Sequence, residues 1–380
     1  MTGPLAGLRV LEVGHILAGP FATMLLADLG ADVVKIESET GDLSRDVGSH
    51  YVGGHNVYFA SLNRNKRSVH LDLADADGQA ALHRLVRESD ALLVNLRPSA
   101  IRKLGLDYAS LGAVNPKIVC VALTGYGLDG PEAEWPAFDY VVQAGVGIAA
   151  MTGDPDGPPM LPGYSVVDNS SAIMAALGLL AKVHSANSSG VGGQVDVSLF
   201  DTMLSQLNYK AAAYLNGGTV PPRQASGAHS FYTPAQLFET ADGYLALFVT
   251  HDVFWQRLCV EIGNPEWGTD PRFASMHARS EYRTELVELL GARLMEATAR
   301  EWVDLLRPLG LAVGSVVSLT DALDSDYVRS RGMVVSVDTD AGALRMVGNP
   351  IRIEGGGEFT APPRLHEHTS QLLGDGTDAS

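Results

Sequence analysis

The sequence predicts an α/β protein with a large domain around a parallel β-sheet and a smaller α/β domain. Strand, helix and strand follow one another within residues 8–37, and such a βαβ unit requires a parallel sheet. Apolar strand-like runs and helical segments continue to alternate up to about residue 215. A stretch rich in Gly, Pro and Ser begins at residue 217 and marks a boundary, and 380 residues are enough for two cores.

The first βαβ unit is the most clearly defined. Residues 8–13 and 31–37 predict strands, residues 14–19 predict the loop after the first strand, and Pro20 suits the first turn of a helix that ends near Gly30. The loop, Gly14-His-Ile-Leu-Ala-Gly19, lacks the Gly-x-Gly-x-x-Gly spacing that lets a backbone approach a pyrophosphate. It therefore argues against dinucleotide binding, although the acidic Glu37 ends the second strand.

The same patterns of apolar residues and turn residues predict the remaining elements. Further strands are predicted at residues 90–95, 118–123 and 194–199, with helices at 78–88 and 200–215. Arg64, Lys66 and Arg67 precede a short alternating strand, and such a charge run is typical of a solvated face. In the second domain, residues 242–249 predict a hairpin strand, and Thr298 with Glu301 predicts a capping box. Strands return at 333–337 and 344–347, before a short helix within 366–373.

Composition excludes several classes of function. A formal net charge of -17 disfavours nucleic acid and anionic membranes as partners. No apolar run of spanning length lacks charges or breakers and no signal peptide is apparent, which favours a cytoplasmic protein. Cys120 and Cys259 lie in apolar runs and predict core residues. His366 and His368 have no third ligand nearby, so we expect a solvated pair and no metal site.

Basic residues follow one of the predicted strands. Arg97 comes directly after the strand at 90–95, and Arg102 and Lys103 lie on the next turn. From the carboxyl end of a parallel strand, such cations can hold phosphates in an α/β crevice. Ordinary solvation at a helix end explains them equally well.

Asp168 stands just before an apolar helical run, Asn-Ser-Ser-Ala-Ile-Met-Ala-Ala-Leu. An Asp at this point is most often a helix N-cap. A carboxylate there can also be a nucleophile, because an ordinary Asp pKa near ~3.9 leaves it ionised at neutral pH without a partner base. No Gly-x-Ser-x-Gly nucleophile elbow is present in the sequence.

Taken together, these features resemble the family III CoA-transferases, the family that also includes the α-methylacyl-CoA racemases. The resemblance rests on the order and spacing of short segments over nearly the full length. They are Gly7-Leu-Arg-Val-Leu-Glu12, Ala18-Gly-Pro-Phe-Ala-Thr23, the stretch 26–37, Gly41-Asp42 with Arg45, Asn65-Lys-Arg-Ser68, Leu71-Asp-Leu73, Asn95-Leu-Arg-Pro98, Leu104-Gly-Leu106, Gly125-Tyr-Gly127, Asp139-Tyr140 with Gln143, Asp168, Asp242-Gly243 and Glu367-His368.

The resemblance implies a large Rossmann-like domain made from both chain ends and an interlocked homodimer. Residues 1–216 form the first part of this domain, 217–228 a linker, 229–320 the small α/β domain, and 321–380 the return linker and the rest of the large domain. It also implies an enzyme that moves coenzyme A from an acyl-CoA to a carboxylic acid. Asp168 is then the nucleophile, which forms an aspartyl anhydride and next an aspartyl-CoA thioester.

The resemblance further implies which residues surround the substrates. Those expected to hold coenzyme A are Leu17, Ala18, Leu71, Asn95, Arg97, Lys103 and Leu104. Those expected to shape the substrate pocket are Asp139, Gln143, His229 and His251. Ser38 stands where the family often has an arginine, so the adenine end of CoA must be recognised differently here.

Other departures bear on the reaction. Leu17 replaces a glutamine of the formyl-CoA transferases, which argues against oxalate or formate, and residues 227–231 replace their glycine-rich lid. Phe138 replaces a histidine that the racemases use as acid or base, and His251 falls near their second-domain glutamate. A racemase needs an acid and a base on opposite faces of the α-carbon. CoA transfer is therefore favoured over racemisation, and a non-catalytic CoA-binding protein is a further alternative.

Overall fold

The computed structural model describes residues 3–339, 342–354 and 358–374. The strands are β1 (Arg9–Val13), β2 (Asp32–Glu37), β3 (Tyr51–Val52), β4 (His55–Asn56), β5 (Lys66–His70), β6 (Ala91–Val94), β7 (Val119–Thr124), β8 (Gly193–Ser198), β9 (Ala235–Thr240), β10 (Gly243–Phe248), β11 (Ala312–Ser315), β12 (Val334–Thr339) and β13 (Gly342–Val347). The α-helices are α1 (Ala18–Asp28), α2 (Val57–Asn63), α3 (Ala76–Arg87), α4 (Pro98–Lys103), α5 (Tyr108–Leu111), α6 (Asp139–Gly145), α7 (Ile148–Met151), α8 (Val166–Ser189), α9 (Leu199–Gln206), α10 (Asn208–Gly217), α11 (Asp252–Glu261), α12 (Met276–Glu281), α13 (Arg283–Leu294), α14 (Ala299–Leu306), α15 (Leu319–Leu323), α16 (Asp326–Arg331) and α17 (Thr369–Leu373).

A parallel six-stranded sheet organises the first part of the molecule. Its spatial order is β5-β2-β1-β6-β7-β8. Counted along the chain this is 3-2-1-4-5-6, the order of Rossmann folds. The direction of winding reverses between β1 and β6, which pair in parallel from Val10 with Ala91 to Val13 with Val94. The predicted α/β class with a parallel sheet is confirmed.

The strands of this sheet were readable from sequence because helices cover both of its faces. β6 and β7 are buried at every residue, and strands buried on both faces read as continuous apolar runs. The predictions at 8–13, 31–37, 90–95, 118–123 and 194–199 agree with β1, β2, β6, β7 and β8 within one residue at each end. The prediction of a single helix over 200–215 is wrong. The segment divides into α9 and α10, because Asn208 takes a positive φ of 22°.

The basic cluster after α2 is not the solvated face that its composition predicts. Arg64 is 1% exposed, and its guanidinium lies 2.6 and 2.9 Å from the two oxygens of Asp28. Lys66 is 3% exposed, and its ammonium lies 2.8 Å from the Glu12 carboxylate within the sheet. Arg67 pairs with Asp32. The acidic partners stand far earlier in the chain, so no local pattern reveals the pairing.

Two compact units divide the chain. The first comprises Met1–Val146, Gly163–Asn208 and Asp326–Ser380, and the second comprises Gly147–Pro162 and Tyr209–Ser325. The second contains the antiparallel sheet β11-β10-β9 and a core in which Trp255 and Trp302 are buried. The predicted capping box of Thr298 and Glu301 is confirmed at α14. The predicted linker at 217–228 falls inside the second unit, and the domain division drawn from sequence stays a prediction.

The C-terminal segment returns to the parallel sheet at β5. The N–H of His368 donates to the carbonyl of Ser68 at 2.9 Å, and the His366 ring nitrogen Nε2 lies 2.9 Å from the carbonyl oxygen of Ser38. The expectation of a solvated histidine pair is therefore wrong, because both residues attach the chain end to the sheet. Within the described part of the chain, no group of three His, Cys, Asp or Glu side chains could hold a metal ion.

Among the described helices, α8 alone is long and apolar enough to cross a membrane by length and composition. One side of it is buried in the protein, through Val167, Ala172 and Leu179. It packs against α1, α9, β7 and β8. These contacts make it a core helix of the first unit.

Candidate active site

A cavity of about 230 Å³ opens at the carboxyl edge of the parallel sheet, where β1 and β6 end. Its walls come from residues 15–18 after β1, 95–98 after β6, and 123–125 and 135–138 after β7. Asp168 of α8 also lines it. In sheets of this topology, ligands bind where the strand order reverses. The structure thus brings five predicted site residues together here, namely Leu17, Ala18, Asn95, Arg97 and Asp168.

Asp168 is not the N-cap of its helix. α8 begins at Val166 with Ser165 as N-cap residue, so Asp168 is the third helical residue. The cap comes from another helix, because Asp139 Oδ2 accepts the N–H groups of Val167 at 2.8 Å and Asp168 at 3.0 Å. This arrangement satisfies the helix terminus and leaves the Asp168 carboxylate for the cavity.

The Asp168 carboxylate is not an ordinary one. Burial raises the pKa of Asp168 from its usual 3.8 to about 7, and repulsion from Asp139 contributes the second part of the rise. A helix N-terminus ordinarily stabilises an anion, but here its N–H groups already bond to Asp139. An ordinary carboxylate that is fully ionised at neutral pH is therefore not what the structure gives, because burial and Asp139 favour the protonated form of Asp168.

Asp139 is itself fixed by Gln143, one turn further along α6. The Gln143 amide Nε2 donates to Asp139 Oδ1. Both side chains are buried, and no donor among the described residues reaches Gln143 Oε1. The two predicted pocket residues thus form a bridge from α6 to the backbone of Asp168.

Asn95 packs against two glycines, Gly14 directly after β1 and Gly19 in the first turn of α1. Its Oδ1 accepts the N–H of His15 at 3.0 Å, and its Nδ2 donates to the carbonyl of His15 at 3.0 Å. A Cβ on Gly14 or Gly19 would lie 2.0 or 2.7 Å from Asn95 Oδ1. These glycines therefore permit close packing of a side chain against the loop.

Arg97 lines the cavity as the N-cap residue of α4, and Arg102 and Lys103 lie in the last turn of the same helix. Arg102 is engaged, since its guanidinium lies 3.0 Å from the Glu134 carboxylate. Arg97 and Lys103 are exposed, and neither side chain has a hydrogen-bond or ion-pair partner among the residues that the structure describes. These two are the cations available to an anionic ligand.

Of the three predicted leucines, Leu17 lines the cavity, whereas the other two belong to the core of the first unit. Leu71 is buried in the core of the first unit. Leu104 packs against the same core and is partly buried. Their part in CoA binding stays a prediction.

His229 and His251 lie in the second unit. His229 lines a cavity of about 540 Å³ within that unit, together with Tyr209 and Phe248. Its Nδ1 accepts the N–H groups of Phe231 and Tyr232 at 3.1 and 3.3 Å. Burial lowers the pKa of His229, which favours a neutral ring. His251 is the N-cap residue of α11.

Sequence reasoning missed His15 and Tyr58. His15 lines the cavity directly after β1, and its place after a strand at the reversal point is a signal that could have found it. Tyr58 belongs to α2, and its pKa is raised by burial first and by the charge of Asp168 second. Because its approach to Asp168 is purely tertiary, no local pattern predicts it.

Comparison with known proteins identifies the family of this chain and agrees with its fold. Residues 5–369 match the family model described as CoA-transferase family III. An acetyl-CoA:oxalate CoA-transferase from Acetobacter aceti is 34% identical over 375 residues, covering 97% of this chain and 95% of the relative. A succinate–glutarate CoA-transferase from Agrobacterium fabrum is 33% identical over 387 residues, covering 98% and 95%.

A solved structure gives the same result for the fold. The crystal structure of a CAIB/BAIF family protein from Brucella suis superposes with a TM-score of 0.86 at 32% identity, covering 98% of this chain and 99% of that one.

Proposed function

We propose that this chain, which belongs to the family III CoA-transferases and moves CoA from an acyl-CoA to a carboxylic acid, does so through covalent intermediates on Asp168. The observation that carries the proposal is a carboxylate with a pKa near 7 in the cavity where the strand order of the sheet reverses. Strongly shifted groups in such clefts are candidates for catalysis.

CoA transfer proceeds in two halves, and the Asp168 carboxylate forms an anhydride in each of them. Asp168 attacks the thioester carbonyl, which releases CoA thiolate and leaves a mixed anhydride. The thiolate attacks the aspartyl carbonyl, releases the donor acid and forms an aspartyl-CoA thioester. The acceptor carboxylate then attacks this thioester, and the released thiolate takes the new acyl group from the second anhydride. Each step exchanges one leaving group for one nucleophile, so no proton needs to be supplied.

The surroundings of Asp168 suit this chemistry. Burial that raises its pKa also removes water from the carboxylate, which makes the ionised form a stronger nucleophile. Anhydrides and thioesters hydrolyse in water, so a shielded site protects both intermediates. The bridge from Gln143 through Asp139 to the Asp168 backbone keeps the nucleophile in place.

Coenzyme A is proposed to enter over the rim that carries Arg97 and Lys103, whose charges suit its phosphates. A cavity of about 230 Å³ is smaller than the roughly 300–1,000 Å³ of typical ligand sites. We therefore place only the thioester end of CoA beside Leu17, Ala18 and Asp168, with no metal. Because Ser38 stands where the family often has an arginine, other contacts must bind the adenine end of CoA.

A homodimer belongs to the proposal. Ile173, Met174 and Leu177 of α8 are each at least 40% exposed, and exposed apolar patches of this kind mark interaction surfaces. An interlocked second copy of the chain is the partner that the family resemblance implies. Sedimentation should give twice the 40.2 kDa of one chain, and Leu177→Glu should weaken the association.

The acids named for the relatives are oxalate for one and succinate and glutarate for another. We therefore propose short dicarboxylic acids as the first acceptors to test, with succinate and glutarate before oxalate, because Leu17 argues against oxalate. A cytoplasmic location, with neither nucleic acid nor membrane as partner, completes the proposal.

The test is CoA exchange followed by mass spectrometry with a panel of acyl-CoAs and dicarboxylic acids. Asp168→Asn should lose transfer by about a thousandfold or more and still bind CoA, whereas Asp129→Asn, an exposed control on the loop after β7, should keep both. Full transfer by Asp168→Asn would overturn the mechanism. Solvent deuterium at the α-carbon of a 2-methylacyl-CoA, without an acceptor acid, would indicate racemisation.

A further inference from the structure

Residues 14–16, which lead into the cavity wall at residues 15–18, are attached to the protein by side chains from three other segments. Lys35 Nζ donates to the carbonyl of Gly14 at 3.0 Å. Asn95 binds both backbone polar groups of His15 at 3.0 Å. Asp42 Oδ1 accepts the next N–H in the chain, that of Ile16, at 3.0 Å. Four successive polar groups of the loop are therefore bonded to side chains.

Ile16 has an unfavourable backbone conformation. Its φ is 68°, and it is the one β-branched residue with positive φ in the described part of the chain. In this left-handed region the Cβ crowds the backbone, which only glycine avoids. Such a conformation persists where the surroundings determine it strongly. Of the hydrogen bonds that hold this loop, the bond to Asp42 is the one that the backbone of Ile16 makes.

The surroundings of Asp42 keep its carboxylate ionised and able to accept hydrogen bonds. It is 1% exposed. Burial alone would raise the pKa of Asp42, but Lys35, 2.8 Å from Oδ2, and the bonds from Ser44 and Ile16 hold it well below its usual range. Lys35 is buried in turn and pairs with Glu12 of β1 at 2.5 Å. The carboxylate thus joins the loop to a charge network inside the sheet.

We infer that Asp42 is a positioning residue for CoA transfer, because it holds Ile16 in the left-handed conformation that sets Leu17 and Ala18 in the cavity wall. The inference rests on the proposed function, since it takes this cavity as the site of the acyl-CoA. Asp42 touches no reacting atom in this scheme. Its effect reaches the substrate through the backbone of Ile16.

The test is a double-mutant cycle with Asp42→Ala, which removes the acceptor of the Ile16 N–H, and Ile16→Gly, measuring kcat and KM for the acyl-CoA. Asp42→Ala should raise KM about tenfold, the factor by which a left-handed β-branched residue is disfavoured, and leave kcat within about twofold. In the Ile16→Gly background, the same change should raise KM less than about threefold, because glycine adopts positive φ without the steric cost.

Two controls separate conformation from side-chain volume and from charge. Ile16→Ala shortens the side chain but keeps the Cβ, so Asp42→Ala should still raise KM about tenfold in that background. Asp46→Ala removes an exposed charge from the same turn and should change neither constant. Equal effects of Asp42→Ala in the wild-type and Ile16→Gly backgrounds, or equal rescue by Ile16→Ala, would overturn the inference.

Amide hydrogen exchange covers the case in which Asp42→Ala does not fold. In the wild-type protein, the Ile16 amide should exchange at least about a hundredfold more slowly than an exposed amide, and exchange at the unprotected rate would overturn the inference. Failure of the proposed function is recognised separately, by transfer activity that survives in Asp168→Asn.

Discussion

The charge of Asp139 should set the pH range of the reaction, and Asp139→Asn isolates that effect. Asparagine keeps a side-chain oxygen that can accept the N–H groups of Val167 and Asp168, now bonded to Asp139 Oδ2 at 2.8 and 3.0 Å. The start of α8 therefore keeps its cap. What the substitution removes is a negative charge beside the nucleophile.

The size of the effect follows from the pKa of Asp168. The rise from 3.8 to about 7 corresponds to about 4 kcal/mol, at 1.36 kcal/mol for each pH unit. Burial is the larger cause and Asp139 the smaller, so the substitution should lower the pKa by less than half of that rise, about 1 pH unit. At pH 6 the ionised fraction of Asp168 should then increase from about one tenth to about one half.

The assay is the pH profile of kcat/KM for the acyl-CoA between about pH 5 and pH 9, because this ratio reports ionisation of the free enzyme. Activity should rise through about pH 7 in the wild type and about one unit lower in Asp139→Asn. Asp129→Asn is the matched control, with an unchanged midpoint. A midpoint that stays in place or rises in Asp139→Asn would refute repulsion from Asp139 as a cause.

Two further predictions concern stability and CoA affinity. Because the folded pKa of Asp168 is raised, its contribution to stability is present below about pH 3.8 and is lost as the pH rises through about 7. Asp168→Asn should therefore raise Tm by about 5 °C or more at pH 8 and leave Tm nearly unchanged at pH 4. Scanning calorimetry at the two pH values checks this. Equal changes in Tm at both pH values would contradict the reasoning. Arg97→Ala should raise KM for the acyl-CoA about tenfold with little change in kcat, since a hydrogen bond to a charged group is worth about 1.5–3 kcal/mol. Arg84→Ala, an exposed control at the end of α3, should leave KM unchanged, and an equal effect of the two substitutions would argue against a specific contact of Arg97.

The features that local sequence reveals are those set by burial on both faces and by strand ends. β6 and β7 stand out as continuous apolar runs. Asn95 and Arg97 follow from the place where β6 ends, because the carboxyl ends of parallel strands carry the ligand site. Asp168 was visible as an acid at the start of a helix, although its position in that helix was not.

The features that sequence could not reveal depend on partners distant in the chain. The N–H groups at the start of α8 are capped by Asp139, 29 residues before Asp168. This contact removes the stabilisation that a free helix terminus would offer and changes the protonation expected of Asp168. Likewise Lys66 reads as a solvated cation until its partner Glu12, 54 residues earlier, is known.

The central claim is that Asp168 forms covalent intermediates during CoA transfer, and chemical trapping tests it most directly. The enzyme is incubated with an acyl-CoA that supports transfer, treated with hydroxylamine or borohydride, digested and examined by mass spectrometry. Hydroxylamine should convert Asp168 to its hydroxamate, and borohydride should reduce the aspartyl thioester to the alcohol, at this residue and only when acyl-CoA is present. An unmodified Asp168 under conditions of active transfer, or a label on another residue, would contradict the claim.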